Sequence, residues 1–279
     1  MMLLKPWYNF TGMYLRGPSG ETATKEEMSK IDKLVRTGLV LLQEHIEKYD
    51  GQRRHSKLMY KSVQLDEEQE VGPDAAKFVI YVEDFNDDKT NAHAIRNRAE
   101  MRVPKWRVKL LPNHIIVGAL SKQDQLNYEW LMNHFLHEIL HVLGAFHSTT
   151  GIMSGIVTLI ENNVICLWHH LDPITERIIA MTLAYQISAT RPDILCKHLD
   201  GEVKIWANFP IHIIVFLDKS FYTTQYYFGD SGNEFKCRVY DDLEWNAIFV
   251  QLEYGGSAYF IKDHLDGEMR EAKIVKSRV

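Results

Sequence analysis

Residues 137–147 read His-Glu-Ile-Leu-His-Val-Leu-Gly-Ala-Phe-His, and this stretch restricts the fold more than any other part of the chain. Residues four apart on a helix stand one above the other, about 5–6 Å between Cβ atoms, so His137 and His141 can converge on one ion. Imidazole nitrogens bind zinc at about 2.0–2.1 Å. Gly144 is suited to the positive φ that ends a helix and turns the chain. His147 then returns towards the same ion from a new direction. The motif therefore requires a helix, a sharp turn at its end and a loop that doubles back.

The chemistry follows from the donor set. Three neutral imidazoles leave a fourth tetrahedral position open, the pattern of a catalytic zinc rather than a structural one. Zinc lowers the pKa of a bound water towards about 7. Glu138, next to the first ligand, is suited to take that proton and hand it to a leaving amine, the work of a general base. His-Glu-x-x-His alone is a modest signal. The added glycine and third histidine make chance a poor explanation, even with 13 histidines in 279 residues.

The motif resembles that of the metzincin zinc endopeptidases, whose third histidine is followed by a tight turn with a methionine beneath the metal. Here the chain continues Ser148-Thr149-Thr150-Gly151-Ile152-Met153-Ser154, and the resemblance implies that Met153 is that methionine. From about Lys25 to Gln186 the chain is similar to a eukaryotic family of intracellular zinc metallopeptidases known from fungi. That similarity rests on a long helix ending Leu41-Leu42-Gln43-Glu44 and on the Phe78 strand leading to Asp88-Lys89-Thr90. It also includes the zinc motif with Gly151-Ile152-Met153 and the helix from Leu171. The resemblance implies a twisted sheet with one edge bordering the cleft, a backing helix and an active-site helix. Extended substrate would lie along the edge strand, and a β-rich region would follow.

Other residues offer competing chemistry. Glu161 stands at the offset from His141 where a different peptidase group draws its third ligand, but that choice leaves Gly144, His147 and Met153 unexplained. His169-His170 offers a substrate or second-ion site, against the plainer reading of polar loop residues. His134 either supports the first ligand or simply lies on the helix face. Some metzincins stabilise an oxyanion with a tyrosine after the methionine turn. Ser154 directly follows Met153 here, so none of Tyr222, Tyr226, Tyr227 and Tyr240 can be assigned that role.

Local patterns supply the rest. Met28, Ile31, Leu34, Val35, Leu39, Leu42 and Ile46 make an apolar stripe on a helix over Thr24–Lys48. Phe78–Val82 and His114–Leu120 read as strands, and Ala92–Met101 as a helix stopped before Pro104. The motif helix spans Asn127–Leu143. Another runs from Leu171 to about Gln186, with Asp172 as N-cap and Pro173 at the first helical position. Short β-branched and aromatic runs follow from Gly201: Val203–Trp206, Ile211–Leu217, Tyr226–Phe228, Phe235–Tyr240, Ala247–Leu252 and Ala258–Ile261. Turn residues separate them, including Gly255-Gly256, as in a small β-sandwich.

These readings give an α+β chain. Residues 1–195 are expected to form a metzincin-like zinc metallopeptidase domain and 196–279 a β-rich, sandwich-like accessory domain. The expected activity is peptide-bond hydrolysis with one catalytic zinc on His137, His141 and His147, and Glu138 as base. The substrate would be a protein or peptide, and the β domain would pack or recognise a protein or glycan. The alternative is a catalytically silent metal-containing scaffold that uses the β domain, against which the intact Glu138 argues. A net charge of -5 lacks the basic surface that nucleic acids demand. Three widely spaced cysteines, Cys166, Cys196 and Cys237, read as free thiols. With no signal peptide or membrane span in view, a cytoplasmic location is expected.

Overall fold

The computed structural model describes residues 7–18, 20–51, 53–68, 75–84, 92–95, 98–113, 120–155, 157–167, 169–184, 193–230, 232–239, 244–253, 256–265 and 270–271. Strand β1 (Trp7–Tyr14) leads into helix α1 (Lys25–Tyr49). Thr24 starts α1 through a capping box: its side chain accepts the Glu27 N–H (3.2 Å), and the Glu27 carboxylate accepts the Thr24 N–H (2.8 Å). The expected stripe is the buried face, with Ile31, Leu34, Val35, Leu39, Leu42 and Ile46 inside.

Strands β2 (Lys57–Gln64), β3 (Ala75–Glu83), β4 (Ala92–Ile95) and β5 (Arg98–Pro104) complete a five-stranded sheet in the order β2-β1-β3-β5-β4. Its pairs are parallel except β4–β5, so among the described residues an antiparallel strand forms one edge. This corrects the helix expected over Ala92–Met101. Ala and Glu favour helix, but Ala99, Met101 and Val103 alternate inward, and burial between β3 and β4 overrides the local preference. The strand expected at His114–Leu120 lies almost wholly outside the described residues.

After the short helix α2 (Lys105–Lys109) comes α3 (Lys122–Val142), capped by Ser121, whose side chain accepts the Asp124 N–H (3.2 Å). Most of its residues from Asn127 to Val142 are buried, as in a helix packed on several sides. Helix α1 crosses it where Gly38 presents no side chain; a Cβ there would stand 3.0 Å from Met132 Sδ and 3.1 Å from Leu136 Cδ2. Helix α3 also packs against the edge strand β4.

The two-stranded hairpin β6 (Ile160–Glu161) and β7 (Val164–Ile165) turns at Asn162 and Asn163, both at positive φ. Helix α4 (Pro173–Ala184) begins as expected. Asp172 Oδ1 accepts the Ile174 and Thr175 N–H groups (3.1 and 3.0 Å), and Oδ2 accepts the Thr175 hydroxyl (2.7 Å).

The remainder is two four-stranded sheets. One contains β8 (Ile194–Leu199), β9 (Glu202–Ala207), β12 (Glu234–Arg238) and β15 (Arg270–Glu271), ordered β12-β9-β8-β15. The other contains β10 (Ile211–Leu217), β11 (Thr223–Phe228), β13 (Ala247–Leu252) and β14 (Ser257–Ile261), ordered β11-β10-β13-β14. Cys196, Val203 and Ile205 from the first sheet and Ile214, Phe216, Ile248 and Val250 from the second share one core.

Strand β10 is buried at every position rather than at alternate ones. Its other face (Ile213, Val215, Leu217) forms a second cluster with Phe249 of β13, Phe146, and Ile174 and Ile178 of α4. The sandwich is therefore joined to the first part of the chain through apolar packing. Each fully buried aliphatic or aromatic side chain there contributes about 1.5–3 kcal/mol. The three cysteines are free, as expected. Among the described residues no helix is long and apolar enough to cross a membrane.

Candidate metal centre

Helix α3 carries His137 and His141 four residues apart and so one above the other, with Glu138 next to the first and three residues before the second. The helix ends at Leu143. Gly144 takes φ +99° as expected, and the N–H groups of Gly144 and Ala145 bond the carbonyls of His141 and Leu140 (both 2.9 Å). The chain doubles back and brings His147 to the pair. The Nε2 atoms of His137 and His141 lie 3.1 Å apart, and those of His141 and His147 lie 3.2 Å apart. Among the described residues this is the one cluster whose donor atoms converge closely enough to hold a metal ion.

The protons of two of these rings are assigned by their partners. His137 Nδ1–H donates to the Ile152 carbonyl and His141 Nδ1–H to the Ala145 carbonyl, each at 2.9 Å. A carbonyl can only accept, so both neutral rings point a lone pair from Nε2 into the centre. Burial lowers the pKa of all three histidines, that of His141 to about 3, where neighbouring His137 adds to the effect. The two lone pairs of His137 and His141 Nε2, 3.1 Å apart with no proton on either nitrogen, repel each other unless a cation sits beside them. Two nitrogens about 2.0–2.1 Å from one ion, at angles of about 100–110°, would stand about 3.1–3.4 Å apart. The residues fit a zinc ion.

His147 is held differently. Its Nδ1 is buried and makes no hydrogen bond of good geometry, but a looser hydrogen bond to the Ser220 backbone and the charge of the Asp218 carboxylate both raise the ring's pKa against the lowering by burial. Its carbonyl accepts the Thr223 N–H (3.0 Å) in a parallel bridge with Tyr222, whose ring stacks on the imidazole at 4.8 Å and 24°. In the sequence Tyr222 is one of several tyrosines to which no role can be assigned. No local signal distinguishes it, because the contact joins segments far apart in the chain.

Glu138 is 4% exposed, and burial pushes its carboxyl pKa up to about 8 in the absence of a cation. Its Oε2 has no hydrogen-bond partner among the described residues. Met153 is buried in a 3-10 turn, Ile152–Ser154, whose Ile152 carbonyl is the group that orients His137. That turn is closed by the Ser148 N–H on the Met153 carbonyl (3.2 Å) and tied down by the Ile152 N–H on the His170 carbonyl (2.7 Å).

The competing residues lie elsewhere. Glu161 faces His169 and His170 at 3.7 and 3.6 Å, outside the three-histidine group. His170 serves the centre through its backbone, not its ring. His134 Nδ1–H donates to the Trp130 carbonyl (2.8 Å) and its ring packs on that indole, as a helix-face residue. Compared with family models, curated proteins and solved structures, the chain matches none.

Proposed function

We propose that this protein is a zinc-dependent metallopeptidase of the metzincin type, with His137, His141 and His147 as ligands and Glu138 as general base. The observation that carries the reading is the convergence of three imidazole Nε2 atoms, two with their protons committed to carbonyls on the far side of the ring. Bound there, zinc would act as a Lewis acid and lower the pKa of water. Glu138 adjoins His137, lies three residues before His141 and has an oxygen with no hydrogen-bond partner among the described residues, which suits a group that accepts and passes on a proton. A nearby cation would draw its pKa down from the raised value of the metal-free site.

Strand β4 supports a polypeptide substrate. Among the described residues it ends the sheet beside α3, and it runs antiparallel to its neighbour, so an extended chain laid along it would continue the sheet by backbone hydrogen bonds. Met153 and its turn would support the centre by holding the Ile152 carbonyl against His137.

The test combines metal content with cleavage of an unstructured peptide library. The wild type is expected to bind about one zinc and to cut peptides. Glu138→Gln should keep the zinc and lose rate by about 10²–10⁴-fold. His147→Ala should lose the metal, and Glu161→Ala should not. A zinc-loaded wild type that cleaves no better than Glu138→Gln would transfer the argument to the silent scaffold.

A further inference from the structure

The ligand loop is held from the sandwich side at two consecutive residues. Phe146 inserts into the shared cluster, with ring centroids 4.9 Å from Phe249 and 6.0 Å from Tyr259. His147 is bridged to the turn between β10 and β11 by the Thr223 N–H on its carbonyl and by the Tyr222 ring on its imidazole. That turn is itself fixed, since Asp218 Oδ1 accepts the N–H groups of Ser220 (2.7 Å) and Tyr222 (2.9 Å). His137 and His141 take their orientation from carbonyls of the first part of the chain. His147 has only a looser contact with the Ser220 backbone, in the same turn, in place of a well-formed one.

We infer that Tyr222 is the positioning residue of the third ligand, so that metal affinity depends on the docked β-sandwich. The inference rests on the metal-site reading above. A flat ring stacked at 24° restricts rotation of the imidazole, and the backbone bridge fixes where that ring starts. Together with the looser Ser220 contact they do for His147 what a well-formed Nδ1 hydrogen bond does for the other two ligands. The β-rich part of the chain thereby acts as a component of the metal centre. Tyr222 remains 40% exposed, so its ring is not an ordinary core residue whose loss would leave a large cavity.

The experiment measures zinc affinity by chelator competition and the visible spectrum of the cobalt-substituted protein. The panel is wild type, Tyr222→Ala, Tyr222→Phe and Tyr226→Ala. Tyr226 is an equally exposed aromatic residue on the same sheet with no contact to His147. Tyr222→Ala is expected to weaken zinc by about 10–100-fold, the usual effect of removing a group that orients a ligand, and to shift the cobalt bands. Tyr222→Phe, which keeps the stack, should restore both, and Tyr226→Ala should match wild type. Thermal unfolding of the metal-free proteins shows whether Tyr222→Ala remains folded. If it unfolds, Tyr222→Leu, which keeps bulk without a flat ring, takes its place with the same expectation.

A folded alanine variant with wild-type affinity and spectrum would overturn the inference. So would a phenylalanine variant as weak as alanine, because the hydroxyl and not the ring would then be acting. Failure of the wild type to bind zinc would instead overturn the metal reading on which this one stands.

Discussion

Gly151 shows how closely one backbone position controls the centre. It sits at φ +71° and ψ −162°, and a Cβ there would meet the His170 carbonyl oxygen at 2.2 Å. Its neighbour Ile152 supplies the carbonyl that orients His137. Gly151→Ala is therefore expected to cost about 3 kcal/mol or more, from a conformation open essentially to glycine alone and from a backbone clash. Urea unfolding would measure that loss, and zinc affinity should fall with it. At this scale the gathering of the three histidines and the turn glycine were legible, because spacing and turn both depend on local helix geometry. The carbonyl partners of His137 and His141, and the ring beside His147, were not. They belong to residues whose proximity exists only after the chain has folded.

Elements were legible in proportion to how local their signal was. Helices α1 and α3 declare themselves by stripe and motif, and β10 and β13 by apolar runs broken only by His212 and Gln251. Strands β1 and β2 went unread: β1 is buried mainly at its end, and β2 is an edge strand with only Tyr60 fully inside. Segment 92–101 was misread because helix-forming residues there obey a period-two burial that only the sheet explains.

Strand β10 carries a pH-sensitive residue. His212 is buried, its Nε2–H donates to the Arg177 carbonyl (3.3 Å), and desolvation, aided by the Arg177 charge, lowers its pKa from 6.5 to about 4. Arg53 acts in the same direction and Asp50 against it. The unfolded chain binds that proton more readily, so stability is full above about pH 6.5 and falls as pH drops towards 4. Between pH 7 and pH 5 this single group should remove about 2 kcal/mol. His212→Gln, which keeps a donor, should show a shallower fall by that amount in urea midpoints taken at the two pH values.

Over the whole molecule, the cluster of Phe146, Ile174, Ile178, Ile213, Val215, Leu217 and Phe249 joins the two expected segments. Strand β8 begins at Ile194, just inside the first of them. Calorimetry is expected to record one cooperative transition, with van't Hoff and calorimetric enthalpies in agreement. Phe146→Ala should lower stability by about 3–5 kcal/mol, through lost burial and the cavity left behind. Two separate transitions, with only one of them moved by that substitution, would contradict a shared core.

The contact between Phe146 and Phe249 also sets an order of events during synthesis. Domains fold as they leave the ribosome, N-terminal parts first. Here the helix bearing His137 and His141 emerges long before the strands that seat the loop of His147. A nascent chain ending before Ile261 would expose two converging imidazoles and an unanchored third. On the proposed metal-site reading, secure capture of the ion would then wait until β13 and β14 had emerged instead of following directly on the motif helix.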